Sequence, residues 1–509
     1  MRYSPFLTIT GIAATSVGAF GLNKTTASPA QACDFFRHSY PNQTYFPNTT
    51  EYNTENEESW SASAWLSPAC IFAPSSAEEV SCAVTTLTRL NTLFAIRGGG
   101  HMPIDNAANI NSSGVLLTSS KLTSLKLSDD EGTVSVAPGN RWGAVYKYLE
   151  PFGLTIVGGR MGVVGVPGFL LGGGISFFSY EHGFASSNGN IRAFECVLAN
   201  GSIVEATATN QYSDLFWALK GGGNSFCIVT RFDLKTFVVP SVYVGEASYG
   251  PGVADQWIDS VYNFALYGSS DPKAAVTPVA RWGSSLTAPT YDATMFYSGN
   301  HSSPAVLKNF TAPVLTPQET TYAHRSMYNY TQETDAPFAS GQGYGFRQRF
   351  FVVSLRASKE AITMIHDTYF STVQTQLANV TNFFAGLAFM PITHQYIAAG
   401  NAAGGNPQGI SESRGPYIWV EQSYMWSDAA DDDKINNFLT SINANITTWL
   451  DSRDLGSKYL YLNDADAIQP VFQGYPAENL RRLKDIRNKY DPGMVYTKMM
   501  PGGWKVEDA

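Results

Sequence analysis

Residues 96–104 read IRGGGHMPI, three consecutive glycines running straight into His101. A neutral imidazole is a competent nucleophile near pH 7, and its pKa is easily tuned by its surroundings. Glycines beside it remove side chains, so that backbone can approach something flat or anionic. Two further glycine clusters follow. Residues 157–174, VGGRMGVVGVPGFLLGGG, hold eight glycines in eighteen positions, and residues 221–223 are again Gly-Gly-Gly. The middle run alternates glycine with Val, Leu and Phe rather than Ser, so it reads as packed, close-approach backbone and not as a tether. Loops of this kind cradle phosphates with their N–H groups. Neither standard scheme fits. No loop has the G-x-G-x-x-G context of a dinucleotide site after a first strand, and no G-x-x-x-x-G-K-[ST] is present. No CxxC or Cys/His cluster points to a metal.

The elements that position these loops read as follows. CIFAP, SSAEEVSCAVTTLTRLN and TLFAI (residues 70–96) form a strand–helix–strand unit with a parallel crossover, and Ser76 and Glu79 stand at capping-box spacing. GTVSVAPG, RWGAVYKYLEPFG and TIVGG suggest a second such pass. RAFECVLANGSIVEA is a hairpin through Asn200-Gly201. From about residue 240, long strand-like segments (KAAVTPVARWG, DATMFYSGN, GPYIWVEQSYMW) alternate with helical ones such as DDDKINNFLTSINANITTWLDS. That texture predicts an α+β part with a large antiparallel sheet. The tail predicts a helix ending near Asp491-Pro492-Gly493.

The chain has 509 residues, 44% hydrophobic and 15% charged, with a net charge of −9. That suits a large buried core and argues against nucleic acid as a partner, which needs clustered Lys and Arg. Arg2, the uncharged stretch Phe6–Phe20 and the small residues that follow, with Ala30-Gln31-Ala32 as one cleavage option, have the layout of a secretory leader. The stretch is shorter than the ~20 residues of a membrane span, and no other segment qualifies. N-x-[ST] sequons at Asn42, Asn48, Asn111, Asn300, Asn309, Asn329, Asn379 and Asn445 support a glycosylated, secreted protein. Asn23 would leave with the leader, and Asn200 sits in a tight turn. Of five cysteines, Cys196 and Cys227 lie in apolar strand-like runs as inert thiols. Cys33, Cys70 and Cys82 are the disulfide candidates.

IRGGGH, VVGVPGFLLGGGISFFSYEHGFASSNGNIRAFECVLANGSIVEA, SDLFWALKGGGNSFCIVT and YPAENLRRLKDIRNKYDPGMVY occur in an order that resembles the berberine-bridge-enzyme-like FAD-linked oxidases of the vanillyl-alcohol-oxidase and p-cresol-methylhydroxylase (PCMH) flavoprotein superfamily. The resemblance spans residues 60–235 and 455–500. Between 240 and 450 it rests on GGNPQGI and general texture. It implies an α+β fold. Residues 1–32 would be leader, 33–238 a two-part FAD-binding domain of PCMH type, and 239–455 a substrate domain with the large sheet. Residues 456–509 would return to the FAD part.

The resemblance further implies FAD bonded through His101, with Arg97, Gly98, Gly99, Gly100, Val164, Gly165, Gly168, Gly172, Gly173, Asn190, Ile191 and Asn463 around it. Met161 stands where many relatives attach flavin a second time through cysteine, so one covalent bond is expected. Phe169 replaces a histidine frequent in bicovalent relatives, and SSNGNI is longer than usual before Asn190. Val164 matches a position where small residues accompany oxidases, which points to molecular oxygen as acceptor and hydrogen peroxide as product. Tyr461 of YLND resembles the family tyrosine over the flavin face. A phenol there can act as base if its pKa is lowered, and Glu421 or His394 could supply a second base. Relatives also suggest pairing Cys33 with Cys82. The expected enzyme is a monomeric oxidoreductase passing hydride from an alcohol, phenolic or other secondary-metabolite intermediate to flavin. The alternatives are anomeric oxidation of a carbohydrate and a non-catalytic binding protein on the same scaffold.

Overall fold

The computed structural model describes residues 28–509 except Gln342. The leader stretch and Asn23 lie outside the described residues. The first sheet has four strands in the order Thr44–Tyr45, Cys70–Phe72, Gly114–Thr118, Leu93–Arg97. The last three run parallel, so the expected crossover exists, but Gly114–Thr118 slots between its two strands. The crossover helix is Ala77–Arg89. Ser76 Oγ accepts from the Glu79 N–H at 3.3 Å, as the capping spacing predicts. The Glu79 carboxylate turns instead to the Ser75 N–H (2.6 Å) and Gln43 Nε2 (2.7 Å). Val80, Ala83, Val84 and Leu87, at i, i+3, i+4 and i+7, bury one stripe of the helix on the sheet.

The second strand–helix–strand pass does not form a parallel unit. Thr133–Val136 pairs antiparallel with Leu125–Leu127 and Ile228–Lys235, while Leu154–Thr155 pairs with Phe237–Val238 in a separate two-stranded sheet. The reason lies in the side chains. Val134 and Val136 are buried and Thr133 and Ser135 are not, the one-sided alternation of an antiparallel strand; Gly114–Thr118 is buried on both faces. Ile228–Lys235 continues to Ile191–Val197 and its hairpin partner Ile203–Thr207 through Asn200-Gly201, with Gly201 at φ +83.

The large antiparallel sheet is present with eight strands among the described residues. At its centre Ala274–Gly283, Phe384–Ile392 and Tyr417–Trp426 lie side by side, with Arg347–Arg356 beyond them. Helices Ala254–Tyr267, Lys359–Gln376 and Asp432–Asp451 cover one face. The C-terminal segment returns to the first part: Tyr490 and Lys489 of helix Ala477–Tyr490 hydrogen-bond Asp214 at 2.6 and 2.7 Å, and the Tyr496 hydroxyl donates to the Val197 carbonyl at 2.8 Å. No helix of the described residues is long and apolar enough to cross a membrane.

Cys33 bonds to Cys70, with Cα atoms 5.9 Å apart, and not to Cys82 as the relatives suggested. Helix Ala30–Ser39 buries Ala32, Cys33 and Phe36 against strand Cys70–Phe72, where Phe36 stacks on Phe72 at 4.6 Å. That docking sets Cys33 beside Cys70. Cys82 keeps a free thiol next to Tyr40, whose phenol is pushed up to about 12, first by its hydrogen bond with Cys82 and then by burial. Ala30-Gln31-Ala32 forms the first turn of this helix. Seven of the eight retained sequon asparagines are exposed, and Asn309 is half-buried. Non-reducing peptide mapping is expected to return a Cys33–Cys70 cross-linked peptide with Cys82 alkylatable. Removing the bond, which closes a 37-residue separation, should cost about 3–4 kcal/mol in denaturant unfolding; Cys82→Ser should cost little.

Candidate active site

The loop Gly98–Gly100 lies against the loop at Gly165–Gly168. A Cβ on Gly99 would sit 2.4 Å from the Gly165 Cα, and a Cβ on Gly98 would sit 2.4 Å from the Pro167 ring. Gly100 has φ +65, a left-handed conformation that suits glycine. The glycines beside His101 thus bring two loops into backbone contact. Gly168 differs. A Cβ there meets nothing within 4 Å, so no protein atom accounts for the missing side chain, and Gly168 lines a cavity.

That cavity measures about 830 Å³ and opens between the glycine loops and the large sheet. One wall is Gly98–His101, Met161, Val164, Gly165, Gly168, Phe169 and Gly172. A second is the sheet face, presenting alternate residues: Thr277, Val279 and Arg281; Gly386 and Ala388; Glu421, Ser423 and Met425. The third is the C-terminal return, with Tyr461, Asn463 and Asp464. Gly223, Asn224 and Cys227–Val229 close the end nearest the third glycine cluster.

His101 lines the cavity and stacks on Trp60, with centroids 4.5 Å apart and planes at 8°. Burial, and then the Arg141 guanidinium, push its imidazole down to about 3. The ring is therefore neutral at any working pH, with a lone pair free for nucleophilic attack. The Tyr461 hydroxyl accepts from the Ile175 N–H (3.0 Å) and from Asn463 Nδ2 (2.9 Å), and its ring packs beside Phe184 and Trp419, with centroids 6.3 and 6.1 Å away. Those two donors favour the phenolate, but burial outweighs them and Asp464's charge adds to it, so the phenol is raised and protonated. Asn463 also donates to the Phe169 carbonyl at 3.1 Å, and Gly172 leaves room for its amide, since a Cβ there would lie 2.1 Å from Asn463 Oδ1.

Glu421 sits mid-strand opposite Ala388 and Val352. Its carboxyl is raised by burial and held back by Arg160. Asp464 is raised by burial and by Glu421, again with Arg160 opposing. These two carboxyls and one guanidinium line the cavity with Tyr461, and the Glu421 charge raises Asp464 while Arg160 lowers both. Arg160 is steadied by Thr277 Oγ1 and Met390 Sδ, both at 3.1 Å. Further out, Arg281 pairs with Asp292 and, at 3.4 Å, with Glu246, while Arg325 pairs with Glu333 at 2.6 Å.

Five of the sequence-derived site residues lie off the cavity. Arg97 is buried in an ion pair with Glu55. Asn190 spends its amide on the His182 and Phe184 carbonyls (3.1 and 2.9 Å), and Ile191 is core. Gly173, at φ +111, makes room for Gln408 of GGNPQGI, as Gly221 does from the third glycine cluster. His394 is exposed at the start of helix His394–Asn401. Trp60, Arg160 and Asp464 escaped the sequence reading. Asp464 follows Asn463 in YLND and Arg160 interrupts VGGRMG, so both carried a signal; Trp60 carried none.

The FAD binding domain family model matches residues 68–207. The chain is 36% identical over 486 residues to FAD-dependent monooxygenase prx3 of Penicillium roqueforti, covering 94% of each chain. It is 30% identical over 499 residues to FAD-dependent monooxygenase macF of Penicillium terrestre, covering 96% of this chain and 92% of that one. The solved structure of Physcomitrella patens BBE-like 1 has the same fold, with a TM-score of 0.74 at 20% identity over 93% of this chain and 99% of that one. The cavity fits FAD: three glycine loops converge on it, Gly168 leaves space no protein atom fills, and a neutral imidazole lines its wall. Gly99→Ala or Gly165→Ala is expected to destabilise the fold by about 1–3 kcal/mol through overpacking. Gly168→Ala should leave Tm unchanged and lower the bound-flavin absorbance.

Proposed function

The chain belongs to the berberine-bridge-enzyme-like FAD-linked oxidoreductases, and on that premise we propose that it is a secreted oxidase of a small organic substrate, an alcohol, phenol or other secondary-metabolite intermediate. The observation that carries the reading is the neutral His101 imidazole on the wall of the glycine-lined cavity, which Glu421 and Asp464 also line. Bound FAD supplies a two-electron acceptor for a substrate hydride. His101 is its single covalent anchor, because Met161 on the same wall carries no thiol. The sheet face orients the substrate. Phe177, Val279, Phe350, Phe384 and Met425 give that side an apolar surface beside Thr277, Arg281, Glu421 and Ser423, which favours a small aromatic or aliphatic substrate over a carbohydrate.

The ionised member of the Glu421–Asp464 pair takes the proton from the substrate O–H or N–H, and Arg160 stabilises that carboxylate until the proton arrives. Tyr461 keeps its proton and directs its hydroxyl at the substrate, a hydrogen-bond donor rather than the base. A base must be deprotonated to act. With both carboxyls raised, kcat/KM should therefore climb with pH over a range above that of an ordinary glutamate. Glu421→Gln should lower kcat at least 100-fold and remove that limb; an unchanged profile would take the base away from Glu421.

Val164 leaves the reacting face open to molecular oxygen. The names of the fungal relatives carry a second reading, in which oxygen enters the product. Turnover under labelled oxygen separates the two. One hydrogen peroxide per product, with no label incorporated, is the oxidase result. The Cys33–Cys70 bond and the exposed sequons support passage through the secretory pathway. Acid precipitation of purified enzyme should give a yellow pellet, and of His101→Ala a colourless pellet with flavin in the supernatant. A flavin-free wild-type protein would falsify the whole assignment.

A further inference from the structure

Residues 55–65 form a strap over the histidine loop. Glu55 pairs with Arg97, Glu58 pairs with Arg141, and the Trp60 N–H donates to the Gly100 carbonyl at 2.8 Å. Gly100 has no room for a Cβ on this side, since one would lie 3.1 Å from the Ser59 Cα. Trp60 is anchored at its other end as well, its indole N–H donating to the Gly343 carbonyl at 2.6 Å. Between these two fixed points its ring lies flat on His101. Among the described residues the His101 ring makes no hydrogen bond. Its orientation is set by packing, and the parallel face of that packing is Trp60.

We propose that Trp60 is the positioning residue for covalent flavin attachment: its indole face holds the His101 imidazole in the attacking orientation and stabilises the positive charge that develops there. The inference rests on His101 being the attachment point. The bond joins an imidazole nitrogen to the 8α-methyl carbon. Two protons leave, one from the methyl group and one from the imidazole. The electron pair of the broken C–H bond passes to the isoalloxazine ring and then, with two protons, to molecular oxygen, giving hydrogen peroxide. As the nitrogen lone pair is used the ring becomes cationic, and an indole face attracts a cation. Burial and Arg141, which keep the free ring neutral, make that charge costly, so the π face stacked flat on it matters most as the bond forms, Phe338 lying tilted at 6.1 Å.

The test is the rate of attachment, separate from turnover. Flavin-free full-length protein is mixed with FAD under air, quenched in acid at intervals, and the protein-bound flavin fluorescence is read on a denaturing gel. Trp60→Leu keeps bulk but not the π face; it should bind FAD reversibly and attach it at least tenfold more slowly. Trp60→Phe should stay within about threefold of wild type, a rescue that a purely space-filling role would not distinguish from Leu. Trp60→Met serves if the leucine variant does not fold. Equal rates for the aromatic and aliphatic variants would overturn the proposal. His101→Ala, run alongside, keeps the two readings apart: if it too becomes covalently labelled, the His101 assignment fails rather than the role of Trp60.

Discussion

The close approach of Gly99 to Gly165 is the contact on which the rest of the site depends. Two strand-connecting loops, some 65 residues apart in sequence, can touch backbone to backbone only because neither carries a Cβ at the crossing. One loop ends in His101, and the other carries Met161, Val164 and Gly168. Their contact puts His101, Met161, Val164 and Gly168 on the wall of one cavity. Pro167 against Gly98 fixes the second loop's entry into helix Val166–Leu171. The same device recurs at Gly173 and Gly221, where two further glycines close on Gln408.

Burial then sets the protonation states. The same low-polarity surroundings keep His101 neutral, hold the Tyr461 proton in place and raise both Glu421 and Asp464. The neutral imidazole, the protonated phenol and the two raised carboxyls all follow from desolvation, differing only in what each group is when uncharged. Arg160 is the local counterweight. Its position, bonded to Thr277 and Met390, ties the glycine-rich run to the sheet, so the electrostatics of the acid pair depend on how the two parts dock.

Where the sequence reading succeeded, the signal was local. The Ser76 cap, the Asn200-Gly201 hairpin and the alternating strands of the large sheet are written in residues a few positions apart. It failed where partners were distant. Thr133–Val136 resembles any short strand until its one-sided burial assigns it to an antiparallel neighbour. Cys33 chose Cys70 because Phe36 docks on Phe72. Trp60 had no motif to mark it, since its role exists only once the strap closes over the loop.

The sequence alone determined the chemistry available: a histidine after glycines, no thiol at position 161, glycine-dense loops in order, and an α+β chain with one large sheet. These are properties of residue type and short spacing, which survive without coordinates. The tertiary structure decided which groups share a solvent. Only folding sets Glu421 beside Asp464 and Arg160, lays Trp60 flat on His101 and leaves Arg97 in an ion pair away from the cavity. Charge, burial and contact depend on distance in space, and the chain encodes those distances through packing rather than through neighbouring letters.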